Sequence, residues 1–452
     1  MFNAIDHVEL IREVFRYAQA FQGKTFVLQL DDAIVLRSTV VSLMRDLVLL
    51  HRTGIRIVLV AGARQRIDEI LQRYNVDCEK HGGVRISTPD AIPFIKMAAF
   101  DAANRVMTSL SGQGVNAVIG NWVRARSLGV VDGIDFQDAG TVDKIRVDLL
   151  RGVIEQGSIP ILPCIGWSGS GKPYNISSRE LATELATALQ ASKLFFLAEL
   201  DPLTTSRYQV AGDVDSTPGG RISRLTVEQA TRFVDLNRDR EDDLGCELVG
   251  RGLRAARHGV ERVHIVDGRS EGVVLQEIFS NLGVGTMVHA NQYQSIRSMT
   301  RADVPDVYRL MQPLVQRGLL VQRTEGDLHD SIDDYVVFET DGMVHGCGAL
   351  HIYNERQAEV AGLAVDDNYE HFGIGQRIVR FLIEGARRAG LRELFVLTTQ
   401  ASDWFEQLGF RAGSVEDMPK SKRERYDYAR NSRVMLYEIG ETDEAVSSLA
   451  SE

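Results

Sequence analysis

The segment "AEVAGLAVDDNYEHFGIGQRIVRFLIEGARRAG", residues 358–390, holds residue types at a spacing that can do chemistry. Its first part reads as a strand ending at Val365, its middle as a loop with Gly373 and Gly375, and its last part as a helix whose Ile374, Ile378, Leu382, Ile383 and Ala386 share one face. Glycines at a strand-to-helix turn let successive backbone N–H groups converge on an anion, and the helix N-terminus adds about half a positive charge. The arrangement predicts a pyrophosphate cradle made by the amides of His371, Phe372, Gly373, Ile374, Gly375 and Gln376. The same GxG also suits a tight turn that holds nothing. Elsewhere the chain sets its own charge against phosphate. "LQLDDAIV" (28–35) runs a buried strand into Asp31 and Asp32, at the point where an α/β fold binds its ligand.

Such groups need a scaffold. A chain of 452 residues predicts two or three domains, and 44% hydrophobic with 25% charged residues is the composition of a soluble globular protein. The net charge of -11 argues against a general nucleic-acid or membrane binder. No window is apolar enough to span a membrane, and the N-terminus lacks a signal-peptide core, so the cytoplasm is the expected location. Cys78, Cys164, Cys246 and Cys347 form no CxxC pair and fit reduced thiols, and the histidines show no metal-ligand spacing.

Residues 7–22 read as an amphipathic helix that precedes the first strand, within a leading element 1–22. From Thr25 to Val288 strands (25–30, 54–60, 116–120, 158–166, 194–200, 262–267) alternate with helices (40–52, 64–74, 91–110, 179–191, 247–258). This predicts an α/β domain over 23–290 with a mainly parallel sheet and helices on both faces. After residue 292 the strands pair locally, with Asp341-Gly342 as a hairpin signal, which predicts an α+β domain over 292–440 and an acidic tail over 441–452.

With "LRELFVLTTQASDWFEQLGF" (391–410) following the glycine turn, the second domain resembles the GNAT-type acyltransferases, whose loop binds the pyrophosphate of acetyl-CoA. Two positions depart from that pattern. Glu370 stands where the family has Arg or Gln, and Phe405 stands where a tyrosine often serves as general acid. Over nearly the whole chain, "GLLVQRTEGDL" (318–328) and "YARNSRVMLYEI" (428–439) included, the sequence is similar to the bacterial N-acetylglutamate synthase family. That resemblance implies acetyl transfer from acetyl-CoA, as co-substrate and not a bound cofactor, to the α-amine of L-glutamate, the first step of arginine biosynthesis. It implies Arg323, Arg430 and Ser432 for the two carboxylates of glutamate, Glu359 as base, and backbone N–H groups at Leu363, Ala364 and Val365 for the thioester and its oxyanion. Planar, bidentate arginines suit a dicarboxylate on physical grounds. Thr398 is a further catalytic possibility, while Lys420, Lys422 and Arg423 read as a solvated basic loop.

The first domain resembles N-acetylglutamate kinase in "GKTFVLQL" and "YNISSRELATELA" (174–186), but Asp31 and Asp32 replace its phosphate glycines and Arg179 replaces an aspartate. Phosphoryl transfer rests on charge placement, so these residues predict a catalytically degenerate kinase fold. "ERVHIVDGRSEGVVLQEIFSNLGVGTMV" (261–288) matches arginine-inhibited relatives, which implies an allosteric L-arginine site at Tyr17, His264, Glu277 and Gly285, and a ring-shaped, hexameric homo-oligomer built through the leading helix. Alone, His264 reads more readily as a satisfied core histidine in a buried strand, and its spacing to Glu277 and Gly285 favours the site. Two alternatives stay open at this point: an N-acetylglutamate kinase, and a non-catalytic arginine or CoA sensor.

Overall fold

A computed structural model describes residues 14, 15, 17–212, 214, 216–240, 243–279, 283–290, 294–340, 343–366 and 373–440. It divides into two compact units, Met1–Gln292 and Tyr293–Glu452.

The first unit is built on an eight-stranded sheet. Its order is Arg224–Thr226, Thr286–His289, Arg262–Asp267, Lys193–Ala198, Thr25–Leu30, Arg56–Ala61, Ile159–Pro163 and Ala117–Ile119. All neighbours are parallel except the pair Arg262–Asp267 and Thr286–His289. The central strands are continuous apolar runs because both faces are covered: Phe26, Val27, Leu28 and Leu30 are all fully buried. Helices Val40–Arg52, Arg64–Arg73, Ile92–Ser111, Ser178–Leu189 and Leu244–Arg257 lie within a few residues of the positions read from sequence. Capping explains two of their starts: Ser177 accepts from the Glu180 amide, and Asp243 accepts from Gly245 and Cys246.

The run 158–166, expected as one strand, is two. Ile159–Pro163 stays in the sheet, and Ile165–Trp167 leaves it to join a small closed barrel with Pro173–Ile176, Ala139–Ile145 and Val123–Ser127. The leading helix is described over Val14–Ala20, apart from residue 16, and Tyr17, Ala18 and Phe21 are its buried side. Its expected start at residue 7 lies outside the described residues, as do Asp341 and Gly342 of the hairpin signal and the acidic tail 441–452.

The second unit is a seven-stranded sheet in the order Gln294–Ser298, Tyr335–Thr340, Met343–Ile352, Gln357–Val365, Glu393–Thr398, Arg433–Glu438 and Arg411–Ala412. Helix Ile374–Arg388 lays Ile374, Ile378, Leu382, Ile383 and Ala386 on one face of it. It sits close because the strand beneath carries glycine: a side chain at Gly346 would come within 2.9 Å of Ile374 Cγ2, and one at Gly348 within 2.7 Å of Ile378 Cγ2. Helix Val304–Gln316 covers the other face with Val304, Val307, Leu310 and Met311. No helix among the described residues is long and apolar enough to cross a membrane.

Candidate active site

Strand Gln357–Val365 organises the second unit's chemistry, because both of its neighbours leave it at one place. On one side its ladder with Met343–Ile352 pairs Ala361 with Ala349 and Ala364 with Cys347, so Gly362 and Leu363 together oppose Gly348. This bulge needs Gly362, whose φ is +58° and whose side chain would meet the Tyr335 hydroxyl at 2.9 Å. On the other side the parallel ladder with Glu393–Thr398 covers only Gln357, Ala358 and Glu359, while Glu393–Thr398 continues in register with Arg433–Glu438. Beyond Glu359 the two strands therefore part. Backbone N–H groups of the Leu363, Ala364 and Val365 stretch that face the gap have no strand to bond, which leaves them for an oxygen of a ligand.

The gap meets a helix N-terminus. Gly373 enters helix Ile374–Arg388 in the left-handed conformation, with φ +66°, and among the described residues no side chain caps the first amides. The N–H groups of Ile374, Gly375 and Gln376 precede the first intrahelical bond, which runs from Arg377 N to Gly373 O. A side chain at Gly375 would stand 3.4 Å from Trp404 and 3.7 Å from Val365, so the wedge, the helix start and Trp404 are one place. This is an anion cradle next to a slot between strands. His371 and Phe372, and the departing Glu370, lie outside the described residues. Phe405 is buried among Trp404 and Phe410 and supplies no proton.

Glu359 is the last residue before the strands part. Its side chain is 6% exposed and accepts from Lys422 Nζ at 2.9 and 2.7 Å, one contact to each oxygen. Tyr353 Oη donates to Oε2 at 2.9 Å. Three of the carboxylate's roughly four acceptor positions are thus filled, which leaves one for a substrate N–H or a water. Burial, then the Glu359 carboxylate, push the Tyr353 phenol far above its usual range, so it remains a donor. Lys422 corrects the sequence reading: it is not a solvated charge but the partner of Glu359, whereas Lys420 and Arg423 are exposed. The sequence assigns Lys422 no functional role and does not point to Tyr353; the Lys422–Glu359 pairing joins residues 63 apart, and no local signal announces it.

Arg430 donates from Nη2 to the carbonyls of Leu319 at 2.6 Å and Gly318 at 3.4 Å, so it braces the segment that carries Arg323. Its Nε is buried with no hydrogen-bond partner among the described residues. Arg323 precedes Thr324, which caps helix Glu325–Asp330 through a box with Asp327. The charge of Arg323 acts on Tyr335, Cys347 and Tyr353. Ser432 is buried, and its carbonyl accepts from Tyr426 Oη at 2.7 Å. Thr398 pairs with Arg433 and its hydroxyl accepts from Ala401 N at 2.9 Å, which shapes the turn into helix Ser402–Gln407.

In the first unit, a cavity of about 650 Å³ lies at the ends of the central strands, lined by Asp31, Asp32, Arg64, Arg179 and Glu247 among others. Asp32 has done more than spoil it for phosphate. Its Oδ2 accepts from the amides of Gln65 and of Arg66, the latter at 3.0 Å, and Oδ1 from Ala33 at 3.1 Å. The carboxylate occupies the N-terminus of helix Arg64–Arg73 as an anionic ligand would. Arg179 bridges Asp31 at 2.6 Å and Glu247 at 2.7 Å. Asp32→Ala is expected to leave two helix amides without an acceptor and to cost about 1–3 kcal/mol, read as a lower urea midpoint. An unchanged midpoint would show that the contact carries no weight.

The four residues read as an arginine site lie in one region of this unit. His264 Nδ1 bonds Glu277 Oε1 at 2.8 Å, and Glu277 Oε2 accepts from Val284 N at 2.7 Å and Gly285 N at 2.8 Å. Tyr17 packs edge-on against Phe279, two residues beyond Glu277. Lys193, which was not picked out from sequence, lies over the rings of Tyr17 and Phe21 at 5.8 and 4.8 Å. Arg221 donates to the carbonyls of Gly283, at 2.9 Å, and Gly285. Glu277 is therefore already satisfied from within, so a guanidinium must share or displace these bonds.

Burial holds His264 neutral and depresses its pKa to about 4. The unfolded chain takes up this proton below about pH 6.5 and the folded chain does not, so stability is full above 6.5 and is lost as pH falls toward 4. Glu277, held below its ordinary range by His264 and the two amides against the opposing effect of burial, adds a loss at still lower pH. From pH 6.5 to 5 the histidine contributes a decline of about 2 kcal/mol. Thermal melts of the full chain across this range should fall more steeply than those of His264→Gln; parallel curves would mean that His264 titrates normally.

Comparison with known proteins places both units. Residues 24–267 match the amino acid kinase family and residues 303–410 the acetyltransferase (GNAT) family. An amino-acid acetyltransferase of Mannheimia succiniciproducens is 31% identical over 446 residues, covering 96% of this chain and 99% of the relative. The N-acetylglutamate synthase of Neisseria gonorrhoeae has been solved in complex with coenzyme A and L-arginine. It is 29% identical, aligns with a TM-score of 0.82, and covers 96% of this chain and 99% of its own. The same enzyme in complex with coenzyme A and N-acetylglutamate aligns with a TM-score of 0.59.

Proposed function

The chain belongs to the amino-acid acetyltransferase family, and we propose that it transfers the acetyl group of acetyl-CoA to the α-amine of L-glutamate, giving N-acetylglutamate and CoA. The observation that carries this reading is the wedge beyond Glu359, where parted strands open onto the start of helix Ile374–Arg388, whose first amides are capped by no side chain among the described residues. The helix amides take the pyrophosphate, and the acyl chain lies in the wedge with its carbonyl against free strand N–H groups. Those groups strengthen their bonds as the carbonyl becomes an oxyanion. Arg430, whose Nε has no partner among the described residues, and Arg323, on the segment that Arg430 braces, hold the carboxylates of glutamate, with Ser432 just before strand Arg433–Glu438.

The attacking amine must be neutral. Glu359, held in place by Lys422 and Tyr353, takes the ammonium proton through its remaining acceptor position, directly or through one water. The tetrahedral intermediate gives up its second N–H proton to water and expels the CoA thiolate, which solvent protonates because Phe405 cannot. The kinase alternative is opposed by Asp32, which fills the anion position of the first unit, and by Arg179.

L-Arginine is the effector in this proposal, bound in the first unit near Tyr17, His264 and Glu277, the crystallised relative having been solved with arginine. A cytoplasmic homo-oligomer, assembled through the leading helix, completes the reading. The test follows free thiol release from acetyl-CoA by the purified chain. Release that needs glutamate, forms N-acetylglutamate by mass spectrometry and falls when arginine is added supports it; no glutamate-dependent release at saturating substrate would refute it.

A further inference from the structure

Tyr335 is fully buried, and its hydroxyl has no hydrogen-bond partner among the described residues. An unsatisfied buried hydroxyl costs about 1–3 kcal/mol, so its retention calls for an explanation. Phenylalanine would fill the same apolar cluster of Val307, Met311, Cys347 and Ala364 without that cost. The hydroxyl points at the bulge, where a side chain on Gly362 would meet it at 2.9 Å and the Met311 methyl at 3.1 Å. It thus stands at the point where the central strand turns away from its neighbours. The charges of Arg323, Asp334 and Glu359 all act on it, the arginine in the opposite sense to the two carboxylates. Burial pushes the phenol up to about 12, so it is a hydrogen-bond donor at neutral pH.

A second orphan accompanies it. Arg430 Nε is buried with no partner among the described residues, and Arg430 braces the segment that carries Arg323. Gln312 Nε2 and Arg387 Nε are likewise without a partner among the described residues, but Tyr335 Oη and Arg430 Nε are the pair tied to the segment that carries Arg323, and donors call for ligand oxygens rather than ligand N–H groups. Leu320 and Leu328, which flank Arg323 in sequence, pack in the same cluster as Tyr335 and tie the hydroxyl to that segment.

We propose that the Tyr335 hydroxyl is a specificity determinant for the amino-acid acceptor, donating a hydrogen bond to a carboxylate oxygen of bound glutamate where the Met311 methyl now stands. Methionine suits that role because its unbranched side chain moves aside at low cost. The inference rests on the proposed acetyl transfer to glutamate and adds a contact to it.

Tyr335→Phe in the full chain tests it. Removing an unsatisfied hydroxyl should leave the melting temperature equal or higher, while the glutamate KM rises about tenfold and the acetyl-CoA KM stays within twofold, as loss of one hydrogen bond to a charged group requires. A purely structural tyrosine gives the opposite pattern: a lower melting temperature, or an unchanged glutamate KM, and either outcome overturns the proposal. The wild-type chain, assayed in parallel, separates the two levels. If it does not acetylate glutamate, the function falls and this contact with it; if it does and Tyr335→Phe behaves identically, the contact alone falls.

Discussion

Glu359→Gln is expected to lower kcat by about 100-fold or more, the range for removing a positioned general base, while leaving the KM for acetyl-CoA nearly unchanged. The amide keeps the shape of the carboxylate and can still accept from Tyr353 and Lys422, so the fold of the site should survive. What it cannot do is take a proton. Because Lys422 loses its ionic partner in this variant, a stranded cation is a competing cause of any loss; Glu359→Gln with Lys422→Met removes both charges and should remain as slow as the single variant. Recovery of activity in the double variant would assign the loss to Lys422 and free Glu359 of the base role. A Glu359→Gln enzyme with a third or more of the wild-type kcat would do the same.

Arg430→Ala is expected to raise the glutamate KM by about 100-fold, with a change of less than twofold for acetyl-CoA. The figure is at the low to middle part of the range for breaking a buried, charge-assisted contact, 2–5 kcal/mol or roughly 30-fold upward. Two losses combine here. The guanidinium no longer meets a carboxylate, and the carbonyls of Leu319 and Gly318 lose their donor, which slackens the segment before Arg323. Arg430→Lys keeps the charge but not the planar fork, so it should fall between the two. Equal shifts in both KM values would take Arg430 out of the glutamate site.

The fold was legible where burial dictates composition. Strands such as Thr25–Leu30 and Arg262–Asp267 are apolar because helices cover both faces, and their limits follow from the sequence. The barrel strand Val123–Ser127, "VRARS", is short, half exposed and rich in arginine, so nothing in its residues distinguishes it from a loop. The same divide runs through the site. The glycine turn is a local pattern and can be read; the Lys422 to Glu359 pair and the parting of strands after Glu359 depend on tertiary register and cannot. Asp31 and Asp32 lie between the two cases. Their repulsion of phosphate follows from charge alone, but that Asp32 fills the helix N-terminus needed the positions of the Gln65 and Arg66 amides.

That contrast defines the central claim: the chemistry belongs to the second unit, and the first has closed its anion position with its own carboxylate. A single vessel holding the purified chain, acetyl-CoA, L-glutamate and ATP tests it, with every product quantified by mass spectrometry. N-acetylglutamate and free CoA in equal amounts, with ATP left intact, is the predicted result. ADP formed together with a phosphorylated N-acetylglutamate, or CoA released without acetylated glutamate, would contradict it.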